Sequence, residues 1–515
     1  MTRTRIGVLG AGAMGSGIAL AALYADHEVT LTDISAEALD RAQLYIEGHL
    51  SAKGLSERAK QLKISPELGA MAGSEVVIEA ALERLDLKQE LFAQLDHICP
   101  TPAVLATNTS TLSVTAIAAG SSSPERVAGM HFFNPAPAMK LVEIAKGAST
   151  SQETVDLLVQ LAESMGKTPV VTGDSPGFIV NRVARPFYGE ALRLLSEGVA
   201  AFDEIDLLLT LGAGFRMGPF ELMDLIGLDV NLASATSMYE STYGESRYRP
   251  HWLQRQMVES GTLGRKSGAG FYEYDGDEKR WTPPLVPEIG QESGYVLVSD
   301  GSWAPDLGKL LGQAGYTMSE THGDLPLAAV VVNGREEGVV DVVRRYDRGL
   351  APNIPILCQT ADIDLSEIQQ GSKYPERIVG FDGLFLATGK ASTLVEGWNL
   401  ADEIRVAVTD LLSALGKLPI WVQESPGLVL PRIWCCLANE AAFAVGEGVA
   451  KPAAVDAAME LGVNYPTGPL SWAEQLGYEK VASVLDHMAH SYGEERYRVA
   501  PWLRRIARHR EPRAL

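Results

Sequence analysis

The residues best suited to chemistry are an imidazole at His131 and a carboxylate at Glu143. An imidazole takes a proton near neutral pH, and a carboxylate set against it orients the ring and stabilises the imidazolium. Glu143 lies in Lys140-Leu141-Val142-Glu143-Ile144, whose alternation suits a strand pairing back beside His131. Taken by itself, His131, one of nine histidines, reads more simply as a hydrogen-bonded core residue, so its meaning rests on its surroundings. His487 and His490 stand three apart in a helical stretch without a third ligand, and no metal site is expected.

The elements that must position such a pair begin at the N-terminus. Ile6-Gly7-Val8-Leu9 reads as a short buried strand, and Ile18 to Ala25 reads as a helix. Between them stands Gly10-Ala11-Gly12-Ala13-Met14-Gly15, a G-x-G-x-x-G. A second strand, His27 to Asp33, ends on an acid. This is the dinucleotide fingerprint in its required context. Gly10 permits the tight turn, Gly12 lets a pyrophosphate approach the backbone, and Gly15 lets helix and strand pack closely. Ala13 and Met14 open the helix, whose N-terminus offers N–H groups to phosphate. Asp33 is placed for the ribose hydroxyls and would repel a 2′-phosphate, which favours NAD over NADP. Strands at Ser74–Ala80 and Val104–Asn108 flank a helix at Asp86–Leu95. The alternation implies an α/β fold with a doubly wound sheet.

At 515 residues the chain has room for roughly three to five domains. A composition 46% hydrophobic and 21% charged excludes wholesale disorder. The charge, 44 − 65 = −21, argues against a nucleic-acid partner. Cys99, Cys358, Cys435 and Cys436 make no disulfide scaffold and suit a reducing compartment, so a cytoplasmic location is expected. No apolar run approaches the ~18 residues of a membrane helix. Arg3 and Arg5 before an apolar stretch mimic a signal peptide, but Gly7, Gly10, Gly12, Gly15 and Gly17 interrupt it.

Longer motifs make the chemistry specific. Ile78-Glu79-Ala80-Ala81-Leu82-Glu83, Thr107-Asn108-Thr109-Ser110, His131-Phe132-Phe133-Asn134-Pro135, Lys140-Leu141-Val142-Glu143, Ser175 to Arg182 and Gly218-Pro219-Phe220-Glu221 together resemble the L-3-hydroxyacyl-CoA dehydrogenases, over residues 1 to about 275. The resemblance implies an NAD-dependent oxidation of an acyl-CoA substrate, with a Rossmann-type domain and a helical domain. It assigns His131 and Glu143 as the catalytic pair, and Ser110 and Asn181 as hydrogen-bond partners of the reacting oxygen. Asn134 would help place the nicotinamide amide. Asn108, Glu83, Lys88 and Lys266 match cofactor-contacting positions.

The second half is a worn copy of the first, offset by about 250 residues. Ser175-Pro176-Gly177 recurs as Ser425-Pro426-Gly427, Arg182 as Arg432, Glu190 as Glu440, Asp206 as Asp456 and Gly218-Pro219 as Gly468-Pro469. Where the glycine motif would stand there is Asp300-Gly301-Ser302-Trp303-Ala304-Pro305. Trp303 would block a pyrophosphate, and Pro305 has no N–H. Asp382 replaces His131 and Pro431 replaces Asn181. The expected layout is a Rossmann domain at 1–174, a helical domain at 175–280, a proline-rich linker at 281–293, a degenerate Rossmann-like domain at 294–424 and a second helical domain at 425–515. The copy is expected to bind no NAD and to serve as a scaffold, the alternative being that it shapes the substrate tunnel or binds CoA. Relatives pair through the helical domain, so the chain is expected either as a homo-oligomer or as a monomer holding an intrachain pseudo-dimer.

The duplicated layout resembles the members of phenylacetate breakdown that act on 3-hydroxyadipyl-CoA. Arg185, four residues from Asn181, would share its helical face and meet the distal carboxylate of an adipyl chain. An ordinary ion pair explains Arg185 equally well. The alternatives are a short-chain 3-hydroxybutyryl-CoA enzyme, a dehydrogenase of free hydroxy acids, and a non-catalytic NAD-binding protein. Lys53 and Lys60 lie in the region of the CoA contacts but carry no motif.

Overall fold

The structure, a computed structural model, describes residues 3–299, 305–321, 326–332, 338–385 and 388–509. Its first sheet is built from β1 (Arg5–Leu9), β2 (Glu28–Thr32), β3 (Leu62–Ser65), β4 (Val76–Glu79), β5 (Val104–Thr107), β6 (Val127–Phe132), β7 (Leu141–Lys146) and β8 (Thr168–Gly173). The order is β3-β2-β1-β4-β5-β6-β7-β8. All pairs are parallel except β6 with β7. The central strands are continuous buried Val, Ile and Leu runs because helices cover both faces. The helices Ala36–Ala52 and Gln152–Ser164 start where Ser35 and Ser151 accept the N–H groups of Ala38 and Thr154. The strand order reverses between β1 and β4, which opens the ligand crevice at their carboxyl ends.

A short hairpin, β9 (Tyr274–Asp275) and β10 (Glu278–Lys279), precedes the second sheet. That sheet contains β11 (Gly294–Ser299), β12 (Tyr316–Ser319), β13 (Leu327–Val332), β14 (Ile356–Gln359), β15 (Ile378–Phe381), β16 (Ala391–Glu396) and β17 (Leu418–Gln423), in the order β12-β11-β13-β14-β15-β16-β17. The order repeats that of the first sheet, including one antiparallel pair, β15 with β16. Among the described residues no strand corresponds to β3. The expectation placed on Asp300 to Trp303 lies outside the described residues. The fold is thus α/β throughout, a Rossmann-type sheet with a helical region, followed by a second, worn arrangement of the same kind.

The helical regions also repeat. Arg185–Ser196, Phe202–Leu207, Pro219–Ile226 and Leu228–Ser241 correspond to Leu430–Gly446, Pro452–Val463, Pro469–Leu476 and Tyr478–Tyr492. One difference bears on the site. The segment from Val180 to Ser196 is broken at Ala184, because Pro186 supplies no N–H and its ring crowds the preceding turn. Asn181 and Arg185 therefore lie on separate helices, Val180–Val183 and Arg185–Ser196, and not on the single helix assumed for their spacing.

The compact units do not follow chain order. One combines Met1–Val183 with Ala441–Leu470, the other Ala184–Glu440 with Ser471–Leu515. In the first, the helix Pro452–Val463 packs on β7, β8 and the helix Val180–Val183. The Gly173 N–H at the end of β8 donates to the Val449 carbonyl at 2.8 Å. In the second, the turn Leu208–Gly212 packs on β16, and the Gln423 N–H at the end of β17 donates to the Val199 carbonyl at 2.9 Å. Each sheet is finished by a helical segment of the other repeat.

Candidate active site

The glycine loop meets the steric demands of its motif. Gly10 has φ 107°, and a Cβ there would stand 2.6 Å from the Ala80 carbonyl oxygen. A Cβ on Gly15 would fall 1.8 Å from the Gly10 carbonyl oxygen, so the first turn of the helix Ala13–Tyr24 packs on the loop only with glycine. Gly12, the helix N-cap, has nothing within 4 Å of its virtual Cβ, which leaves its backbone open to a ligand. Ala13 is exposed and Met14 half-buried beside it. Asp33 directly follows β2, with Oδ2 accepting the Ala11 N–H at 2.7 Å and Oδ1 accepting the Ser35 N–H at 2.9 Å. These residues fit a dinucleotide: an open helix N-terminus for the pyrophosphate and a carboxylate at the end of the second strand for a ribose.

The antiparallel register sets His131 directly opposite Glu143. Nδ1 of His131 lies 2.8 Å from Glu143 Oε2, with Glu143 fully buried and His131 nearly so. The other carboxylate oxygen accepts the N–H groups of Ile179 and Val180, each at 3.0 Å. These are free donors at the start of the helix Val180–Val183. Three hydrogen bonds therefore fix the carboxylate. Its hold on Nδ1 leaves Nε2 as the ring atom available to take a proton. Phe133 and Phe178 pack on the imidazole with ring centroids 4.6 and 5.9 Å away. Asn181, on that short helix, donates to the Ser110 carbonyl at 3.5 Å, and Asn108 accepts the Phe132 N–H at 2.8 Å. Thus Ser110, His131, Glu143 and Asn181 gather at one end of β5, β6 and β7.

A second carboxylate shapes the Ser110 loop, and residue reasoning alone did not single it out. Glu83 Oε1 accepts hydrogen bonds from Thr109 Oγ1 and Thr111 Oγ1 and from the N–H groups of Ser110 and Thr111. Burial would raise the Glu83 carboxyl, but the Lys88 ammonium and these hydrogen bonds outweigh it and hold it below the usual carboxylate range. Lys88 is 1% exposed and donates to Glu79 Oε1 at 2.6 Å, while Glu79 also accepts from Thr107 Oγ1 at 2.7 Å. A lysine in helical register with Phe92 and Leu95, both core residues, was the available signal.

The remaining sequence-selected residues have these surroundings. Asn134 is exposed just beyond β6. Lys266 pairs with Asp229, and Arg185 is buried with its guanidinium 5.2 Å from the Tyr188 ring centroid; both belong to the second compact unit. Lys53 lies over the Tyr24 ring and Lys60 pairs with Glu57. Among the described residues no three His, Cys, Asp or Glu side chains gather to hold a metal, and no helix is long and apolar enough to cross a membrane.

At the matching register of the second sheet, Gly380 pairs with Val395 as Gly129 pairs with Ala145, which puts Asp382 and Thr393 where His131 and Glu143 stand. Among the described residues, the buried atoms Asp382 Oδ2, Thr393 Oγ1, Thr360 Oγ1 and Gln359 Nε2 have no hydrogen-bond partner. Burial pushes the Asp382 carboxyl up to about 7.

Residues 5–175 match the family model described as "3-hydroxyacyl-CoA dehydrogenase, NAD binding domain", and residues 177–274 and 427–514 both match its C-terminal domain. The chain belongs to the 3-hydroxyacyl-CoA dehydrogenase family. The chain is 39% identical, over 98% of its length and 97% of the relative's, to a 3-hydroxyadipyl-CoA dehydrogenase of Escherichia coli K12. A 3-hydroxybutyryl-CoA dehydrogenase of Clostridioides difficile is 40% identical over 53% of this chain and 99% of its own. A solved structure of a 3-hydroxybutyryl-CoA dehydrogenase from Escherichia coli K12 covers 98% of both chains at 39% identity, with a TM-score of 0.81. As a member of this family the chain is an NAD-dependent oxidoreductase of 3-hydroxyacyl-CoA thioesters.

Proposed function

We propose that the chain oxidises 3-hydroxyadipyl-CoA to the 3-oxoacyl-CoA, with His131 as general base. The observation that carries the base assignment is the His131–Glu143 pair, whose carboxylate is itself held by two backbone N–H groups. His131 takes the hydroxyl proton, and Glu143 orients the ring and stabilises the imidazolium. Ser110 and Asn181 hold the reacting oxygen. NAD, when bound, accepts the hydride from the hydroxyl-bearing carbon. Gly10, Gly12, Ala13, Met14, Gly15 and Asp33 would hold it, with Asn108, Ser110, Asn134, Glu83, Lys88 and Lys266 as further contacts or supports. Asp33 selects NAD against NADP.

Full-length likeness to the 3-hydroxyadipyl-CoA dehydrogenase supports the adipyl substrate, and Arg185 is the cation assigned to its distal carboxylate. The competing reading is a 3-hydroxybutyryl-CoA substrate, favoured by the name of the solved relative that covers as much of the chain. NADH absorbance with each thioester separates them. Under the adipyl reading kcat/KM for 3-hydroxyadipyl-CoA is at least about 10-fold the higher, and Arg185→Leu removes that preference by costing the adipyl substrate roughly 2 kcal/mol, as for a lost charge-assisted contact. Equal losses on both substrates would return Arg185 to a structural role.

The reciprocal packing of the two repeats supports a monomer that carries its own pseudo-dimer, and light scattering should give the mass of one chain. A stable dimer would overturn it. Four buried cysteines without a disulfide support the cytoplasm as its compartment.

A further inference from the structure

We propose that the second repeat is a positioning device for the first repeat's reaction: the helix Pro452–Val463 and the loop before it hold in place the strand bearing Glu143 and the short helix bearing Asn181. The inference rests on the roles given above to His131, Glu143 and Asn181.

Three grips support it, all within the first compact unit. Gly462 sits against both elements at once. A Cβ there would lie 2.7 Å from Leu141 Cδ2 and 3.1 Å from Val180 Cγ2. Leu141 is two residues before Glu143 on β7, so the two side chains leave the same face of the sheet. Val180 is one of the residues whose N–H holds the Glu143 carboxylate. The second grip is an ion pair, Arg182 to Glu447 at 2.8 Å, made by the buried neighbour of Asn181. The third is the hydrogen bond from the Gly173 N–H to the Val449 carbonyl, which anchors the end of β8, the strand beside β7. Misplacing Glu143 by a fraction of an ångström would turn the imidazole, and reacting geometries are sensitive at that scale.

The repeat supplies its own control. Gly212 stands in the second unit as Gly462 does in the first, with Leu430 Cδ1 3.0 Å and the Ala391 carbonyl oxygen 3.3 Å from its virtual Cβ. Arg432 pairs with Glu197 at 2.7 Å as Arg182 pairs with Glu447. There the gripped elements carry Thr393 and Pro431, to which the proposed reaction gives no role.

The test uses full-length Gly462→Val and Gly212→Val, with the milder Glu447→Gln and Glu197→Gln in case the valines fail to fold. Each is assayed with NAD and 3-hydroxybutyryl-CoA below its melting temperature. Gly462→Val should lower kcat about 10-fold with KM for thioester and NAD changed less than about 2-fold, since the loss falls on alignment and not on binding. The acid limb of its kcat/KM profile should move, because the carboxylate no longer sits as before against the imidazole. Glu447→Gln should cost about 3-fold in kcat by the same route. Gly212→Val and Glu197→Gln should lower Tm and leave kcat and the pH limb in place. Equal kcat changes within a mirrored pair, or none in Gly462→Val and Glu447→Gln, would overturn the proposal. A wild-type chain that reduces NAD with no 3-hydroxyacyl-CoA would instead overturn the reading of the site beneath it.

Discussion

At the end of β6, His131 faces Glu143 across an antiparallel pair; at the matching register beside β15 and β16, Asp382 faces Thr393. The backbone around the two positions is the same in strand order and pairing sense. In the first repeat the carboxylate has three hydrogen bonds, one of them to the His131 ring, whereas in the second several buried polar atoms have none among the described residues. A ladder of backbone hydrogen bonds tolerates exchange of the side chains it presents, so a sheet outlives its chemistry. What the second repeat must keep is the surface it gives to the first.

Substitutions at the two registers should separate them by orders of magnitude. His131→Ala should lower kcat by about 10³–10⁴-fold, as expected for loss of a general base, with NAD affinity by fluorescence titration unchanged. Glu143→Gln, which leaves the ring in place without its charged anchor, should cost about 10²-fold. Thr393→Val, at the position in the second sheet that corresponds to Glu143, should leave kcat unchanged. Retained turnover in His131→Ala would remove it as the base and erase the contrast.

The smallest expected effect concerns stability. The Asp382 carboxyl is pushed up to about 7 by burial from an ordinary 3.8, so between those values the folded chain holds a proton that the unfolded chain has released. Stability from this group is present at low pH and is lost as pH rises through that window. Asp382→Asn should therefore gain a few degrees of Tm over wild type on going from pH 5 to pH 8, by calorimetry, with kcat unchanged. A pH-independent difference would show that Asp382 does not titrate there.

Much of the first site was legible in the residues themselves. The glycine loop announces itself because only glycine avoids the Ala80 and Gly10 carbonyls, and Asp33 follows its strand at the required place. The alternation around Glu143 placed it opposite His131. Glu79 and Lys88 were harder to read, because a buried lysine looks like any surface lysine until its helical register is set against Phe92 and Leu95. The spacing of Asn181 and Arg185 suggests a single helix, whereas the chain turns at Ala184 between Val180–Val183 and Arg185–Ser196. The reciprocal packing was illegible. The apolar face of Pro452–Val463 declares that it covers a sheet, but periodicity does not say which of two similar sheets.

That exchange also sets an order of events on the ribosome. The first unit includes Ala441–Leu470, so the sheet begun at Arg5 is not finished when Val183 emerges. Another 470 − 183 = 287 residues must be made first. At roughly 5–20 residues per second that is a wait of about 15–60 s, during which β7, β8 and the start of the helix bearing Asn181 lack their cover. The first sheet is therefore without the segment that covers it until most of the second repeat has been made.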